Sequence, residues 1–159
     1  MRCEIVAVGK IKEAYLKAGI AEYQKRLKPV FPVNIREVPD QPVPENASPK
    51  EIAKAVEKEG SRLLSLLDED SLVVALAIAG KELSSPEFAE KINQWSFQGV
   101  RKLIFVIGGS CGLSSEVLRR ADFCLSFGRC TYPHQLMRLI LTEQIYRAVK
   151  INRHEPYHK

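Results

Sequence analysis

Two short segments carry the residue types best suited to gripping a ligand. They are Gly108-Gly109-Ser110-Cys111-Gly112-Leu113 and Phe127-Gly128-Arg129-Cys130-Thr131-Tyr132-Pro133-His134-Gln135. The first follows the apolar run LIFVI at 103 to 107, and the second closes the run FCLSF at 123 to 127. Glycines directly after a buried strand let a ligand approach the main chain and leave N–H groups free to bond it. The second segment adds a hydroxyl, an aromatic ring and a rigid proline, parts that suit an adenine edge and a ribose. A plain structural turn, and a helix start with a polar cap, are competing readings of the same residues. The dinucleotide fingerprint is absent, because no G-x-G-x-x-G follows the first strand and no acidic residue closes the second.

Four cysteines stand at 3, 111, 124 and 130, with no Cys-x-x-Cys pair. In a reducing cytosol they are thiols, and their apolar neighbours predict small buried hydrophobes. Cys124, Cys130, His154 and His158 resemble a two-Cys, two-His zinc site only loosely. The cysteine gap is too wide and Pro156 separates the histidines. No metal is expected.

Elements that would position these turns are readable from periodicity. Residues 3 to 8 (CEIVAV) form a first strand, and Leu16, Ile20, Tyr23 and Leu27 share one face of the helix that follows. Residues 31 to 38 alternate as a half-buried edge strand, followed by a stiff loop with Pro39, Pro42, Pro44 and Pro49. Ser48-Pro49-Lys50-Glu51 is a capping box opening a helix with Ile52, Val56, Leu63 and Leu67 on its stripe and Gly60 as a weak point. The run LVVALAIA at 72 to 79 reads as a strand covered on both faces. A helix starts at Ser85-Pro86 with Phe88, Ile92 and Trp95 inward, and 103 to 107 is a further buried strand. A short helix begins near Ser114 or Ser115, a fifth strand spans 123 to 127, and a last helix runs from about Gln135 to Lys150. Residues 152 to 159 are a polar tail, which by default is frayed.

Strand and helix alternate five times, which predicts a mainly parallel five- to six-stranded α/β sheet with helices on both faces. In such sheets a ligand sits beyond the carboxyl ends of the strands. Three segments meet that condition: the end of the 72–79 strand, residues 108 to 113, and Phe127 to Tyr132. No internal repeat or boundary divides the chain, so residues 1 to 159 are expected to form a single domain. No apolar run is long enough to span a membrane and no signal-peptide pattern opens the chain, which predicts a cytoplasmic protein.

The 159 residues carry a net charge of +5 with a pI near 9.1. All of that excess lies in residues 119 to 159, which hold eight Lys/Arg against Asp122, Glu143 and Glu155. An anionic partner would be drawn to such a quarter, although a solvated helix face gives the same count.

The stretches VIGGSCGL and TYPHQLMRLILTEQIYRAVKINRHEPYHK resemble the ribosomal RNA large-subunit methyltransferase H family, of the SPOUT class. EIVAVGKIKEAYLKAGIAEYQKRL and VPENASPKEI are also similar, so the resemblance covers essentially the whole chain. T-x-P-H-Q, E-Q-x-Y-R-A and the terminal Y-H-K, in that order and spacing, are specific together. The resemblance implies a SPOUT fold with a C-terminal trefoil knot and a homodimer that binds S-adenosyl-L-methionine in the knot. It further implies methylation of N3 of pseudouridine 1915 in large-subunit ribosomal RNA within the assembled ribosome. By position the methyl-donor contacts would be Leu76, Gly108, Phe127, Gly128, Arg129, Cys130, Thr131 and Tyr132. Two positions depart from the family: Cys111 stands where a polar residue is common, and Cys130 where a larger apolar one is.

Methyl transfer is an in-line displacement, and an imide nitrogen must lose its proton to accept the group. The tail Tyr157-His158-Lys159, from the same or the partner subunit, is the candidate for this step. His158 would orient or deprotonate the base, with Lys159 or Arg129 offsetting negative charge. His134 reads as a cap or interface residue, and Arg138 and Arg147 as dimer contacts rather than RNA contacts. Rival readings of the chain are a non-catalytic ribosome-binding protein of the same fold, a nucleotide-binding enzyme, and a methyltransferase acting on transfer RNA.

Overall fold

The computed structural model describes residues 1–158. Strands and helices alternate through β1 (Arg2–Val8), α1 (Ala14–Leu27), β2 (Val33–Val38), α2 (Pro49–Leu64) and β3 (Leu72–Glu82). They continue through α3 (Ser85–Phe97), β4 (Lys102–Ile107), α4 (Ser115–Arg120), β5 (Phe123–Ser126) and α5 (His134–Asn152). The sheet has five strands in the order β2-β1-β4-β3-β5, every neighbouring pair parallel. β2 is an edge strand, as its alternation predicted.

Alternate residues of the central strands serve two separate cores, which is why these strands read as unbroken apolar runs. Ile5, Ala7, Leu103, Phe105 and Ile107 pack beneath α1, α3 and α5, against Leu27, Phe88, Trp95, Leu141 and Ile145. Val6, Val8, Ile104 and Val106 face the other way, toward Leu63 of α2 and Val117 of α4. α5 lies between α1 and α3, so its first turn reaches the carboxyl edge of the sheet.

Several details differ from the sequence reading. β2 begins at Val33, and α5 runs from His134 to Asn152. α3 is capped by Ser84, which forms a second capping box with Glu87. The buried stripe of α2 is Ala55, Glu59, Gly60 and Leu63, while Ile52 is exposed. Gly60 is a packing requirement: a Cβ there would lie 2.2 Å from Ser114 Oγ, the N-cap of α4. Of the cysteines only Cys3 is buried, and burial pushes its thiol pKa up. Cys111 and Cys130 are exposed, because both sit on turns outside the sheet. β3 does not stop at residue 79. It continues to Glu82 through a break in pairing between Leu76 and Lys81, where the chain loops out and rejoins β5 at Leu125.

Candidate active site

That loop-out builds one wall of a crevice. Gly80 lies against the main chain of Cys124, and an added Cβ would come within 2.8 Å of its carbonyl. The close approach ejects Ala77 and Ile78 toward the open end of the sheet, leaving Ile78 63% exposed. Beyond β4 the chain folds into a glycine turn closed by Gly112 N–H donating to Gly109 O at 3.1 Å. A Cβ on Gly108 would lie 2.6 Å from Gly112 O, so this turn is too tight for any other residue there. Gly112 holds φ +85° and Gly128 φ +98°, backbone that favours glycine. Beyond β5, Gly128 N–H donates to Ser126 Oγ at 3.1 Å and fixes the start of the third turn.

Between the three turns lies a cavity of about 700 Å³, within the size range of small-molecule sites. Its lining includes Leu76, Gly108, Phe127, Gly128, Cys130, Thr131 and Tyr132. The structure therefore gathers every expected contact residue except Arg129, which is exposed between two lining neighbours. Leu125, Leu113, Ile107 and Met137 supply apolar walls. None of the described residues that line it is a carboxylate, lysine or arginine. The polar groups it offers are main-chain amides, the hydroxyls of Ser110, Thr131 and Tyr132, and His134. Among the described residues no group of three or more His, Cys, Asp or Glu side chains could hold a metal ion.

His134 is the first residue of α5 and lies against Gly9, its Nε2 3.3 Å from where a Cβ on Gly9 would stand. Burial holds its pKa below the usual imidazole value, the nearby Arg138 guanidinium adds to this, and Asp40 opposes it. The ring is therefore neutral at pH 7.

Arg138 is the residue that the sequence reading placed least well. It is wholly buried inside its own chain, so it is neither a dimer nor an RNA contact. Its guanidinium donates to Glu37 Oε1 at 2.7 Å, Val8 O at 2.6 Å and Gly9 O at 2.8 Å. Nε alone has no partner among the described residues. A fixed fork of donors suits this knot of carbonyls and carboxylate. Glu59 was also missed. Only 6% exposed, it accepts from Gln41 N–H at 2.8 Å and backs the glycine turn, with Oε2 2.8 Å from where a Cβ on Gly109 would stand. Desolvation raises its pKa.

The tail is docked rather than frayed. Tyr157 OH donates to Glu143 Oε1 at 2.9 Å, and its ring meets Tyr146 edge-on at 4.8 Å with the Arg147 guanidinium 4.8 Å over its face. His158 Nδ1 lies 3.4 Å from Arg147 Nη1. Lys159 lies outside the described residues. Burial, followed by hydrogen bonds to Tyr23 and Glu143, raises the Tyr157 pKa, so the phenol keeps its proton. Glu143 also accepts from Arg147 and Gln144, which makes it the hub of this end of α5. Neither Tyr157 nor His158 lines the cavity. Nine residues of helix separate Met137 in the cavity wall from Tyr146 beneath the tail, roughly 14 Å at helical rise. Within one chain, tail and cavity are not brought together.

An open parallel sheet, with a ligand-sized crevice built from main chain at its carboxyl edge, defines a class of small α/β binding proteins and enzymes. Within that class the chain belongs to the SPOUT methyltransferase family: the family described as predicted SPOUT methyltransferase matches residues 1–158. It is 62% identical over 159 residues, all of both chains, to the ribosomal RNA large subunit methyltransferase H of Carboxydothermus hydrogenoformans. It is 54% identical, again over the full length of both, to the enzymes of that name in Bacillus thuringiensis and Bacillus anthracis.

Proposed function

We propose that this chain, as one domain, transfers a methyl group from S-adenosyl-L-methionine to N3 of a pseudouridine in large-subunit ribosomal RNA. It acts in the cytoplasm, as a homodimer, on the assembled ribosome. The observation that carries this reading is the crevice, whose donors are main-chain groups of three turns. The residues fit the methyl donor: the volume is adequate, the glycines admit close approach, and Leu76, Gly108, Phe127, Gly128, Cys130, Thr131 and Tyr132 surround the space. When bound, the donor supplies an electrophilic methyl carbon on a sulfonium. Among the described residues no lysine or arginine lines the cavity to repel that positive charge.

The protein's part is to bind and orient. The apolar walls hold an adenine ring, and Thr131 and the amides of the turns meet its polar edge and the ribose. Residues 76 to 78, 107 to 113 and most of 125 to 134 converge on one cavity, an arrangement consistent with the C-terminal trefoil knot that the family implies. The acceptor N3–H must lose a proton, and the residues assigned to that step are His158 and Tyr157, with Arg129 offsetting developing negative charge. Tyr157 keeps its own proton and anchors the tail through Glu143. His158 turns Nδ1 to the Arg147 guanidinium and can only accept there, so the neutral ring carries its hydrogen on Nε2 and orients the target base by donating from it. To take the N3 proton the ring must leave Arg147. Because the tail packs on the far half of α5, it serves the crevice of the partner subunit.

Calorimetry with S-adenosylhomocysteine, followed by transfer of labelled methyl to intact ribosomes, free ribosomal RNA or transfer RNA, tests this. Uptake of the ligand and label on intact ribosomes alone is the expected result. Label on transfer RNA, or no uptake at all, refutes it. Deleting residues 157 to 159 should abolish turnover while the dimer and ligand binding persist.

A further inference from the structure

Apart from Arg129, the basic C-terminal quarter brings little free positive charge to the crevice. Most cations of that quarter are already engaged within the chain. Arg120 meets Asp122 and the carbonyls of Asp68, Glu69 and Ser71, and Arg138 meets Glu37. Arg147 pairs with Glu143, while Lys150 and Arg153 share Glu155, whose pKa falls to about 2 under their influence. A cation already paired releases few counterions on meeting a phosphate. Among the described residues, only Arg119 and Arg129 of the quarter lack a carboxylate partner.

We propose that Lys10 and Lys12, on the loop between β1 and α1, form a phosphate-binding rim that seats a single-stranded RNA segment at the mouth of the crevice. This rests on reading the crevice as the site of methyl transfer to RNA. Both lysines are exposed and neither is within ion-pair distance of a carboxylate among the described residues, while Ile11 between them is half-buried. Their backbone is fastened on both sides of Lys10 and at Lys12. Gly9 N–H donates to Val38 O at 2.8 Å, and Gly9 O accepts from Arg138. Ile11 N–H donates to Glu37 Oε1 at 3.1 Å, and Lys12 N–H to Gln135 Oε1 at 2.9 Å. Gln135 follows His134, which lines the cavity, so both ammonium groups project from a fixed point beside its wall. A loop already held this way loses little conformational freedom on binding. Tyr132, 39% exposed, and Ile78, 63% exposed, stand at the same mouth and offer flat apolar surface to a base. Unpaired cations beside an aromatic platform fit an unpaired nucleotide run better than a duplex.

The test compares Lys10→Gln/Lys12→Gln with Lys25→Gln/Lys28→Gln, which removes the same charge from the last turn and C-cap of α1 at the opposite end of the sheet. Using the full-length dimer and intact ribosomes, the first variant should raise KM about tenfold with kcat within twofold. Its slope of log(kcat/KM) against log salt should flatten by about 1.4, or 0.7 for each lost phosphate contact to a single strand. Binding of S-adenosylhomocysteine should stay unchanged, and the α1 variant should match the wild type throughout. Equal flattening in both variants would mean a diffuse field and would overturn the rim, as would an unchanged slope in the first. Filter binding of a single-stranded RNA oligonucleotide and of an acidic peptide gives a readout independent of turnover. If wild-type protein methylates nothing, the functional reading fails, and loss of oligonucleotide binding in the first variant still decides the rim. Weakened peptide binding with RNA binding intact would count against it.

Discussion

The two halves of the sheet's carboxyl edge solve opposite problems with opposite materials. Beyond β3, β4 and β5, glycines and apolar side chains hold space open, and hydrogen-bonding capacity is left to main-chain amides, a few hydroxyls and His134. Beyond β1 and β2, space is filled: Arg138, Glu37, Gln41, Glu59 and Arg62 tie the loops together. The first turn of α5 belongs to both halves, with His134 in the cavity wall and Arg138 one turn on in the buried knot. The contrast teaches that a rigid, self-satisfied half lets the other half stay unsatisfied and ready for a ligand.

The heaviest blow to this arrangement is Arg138→Ala. It leaves the Val8 and Gly9 carbonyls without their buried donor, at about 1–3 kcal/mol each. It also takes the ion-pair partner from Glu37, which is itself exposed and keeps the Ile11 N–H. A urea titration measures the loss. If the two halves are separable, calorimetry well below the melting temperature should find S-adenosylhomocysteine affinity within about threefold of wild type. A far larger loss of affinity would show the halves to be one unit.

Gly108→Ala attacks the open half instead. The added Cβ must push Gly112 O away, so the glycine turn opens and ligand affinity should fall at least tenfold, about 1.4 kcal/mol. Stability should drop by less than with Arg138→Ala, and the reverse ranking in the two assays would break the comparison.

Glu59→Gln probes the seam between the halves. Gln can still accept from Gln41 N–H but carries no charge to desolvate. With the folded pKa raised, the folded state holds a proton that the unfolded state releases. Wild-type stability therefore falls as pH rises from the unfolded value, near 4.5, through the higher folded one. The variant should lack that fall and show the higher urea midpoint at pH 7, with the two converging near pH 4.5. A variant less stable at pH 7 would mean the charge itself holds the turn.

Cys130→Ser should be the mildest change. The side chain is exposed at the cavity mouth, so ligand affinity measured by calorimetry should move less than about twofold. A tenfold loss would show that the sulfur packs against the bound ring.

Much of the fold was legible because each cue acts locally. Unbroken apolar runs marked β3 and β4, and a serine cap with proline in the first turn marked α2 and α3. The cavity residues were legible only through the family resemblance, because glycines after a buried strand serve a plain turn as readily as a ligand loop. The far end of β3 was hidden, since Lys81 and Glu82 look like a loop until Gly80 brings them back beside β5. Arg138, Glu59 and Glu143 were hidden because an ionisable side chain in a helix reads as solvent-facing. Their roles depend on which loops end beside them.

The amino-acid sequence by itself determined the five strands, the five helices, their parallel sense and the three turns able to meet a ligand. These follow from burial periodicity and from backbone freedom, which residue types set locally. Only the tertiary structure decided the strand order, the loop-out in β3, the pairing of the C-terminal cations and the distance between tail and crevice. Those depend on contacts between residues far apart in the chain, where charge and burial are fixed by partners rather than by neighbours.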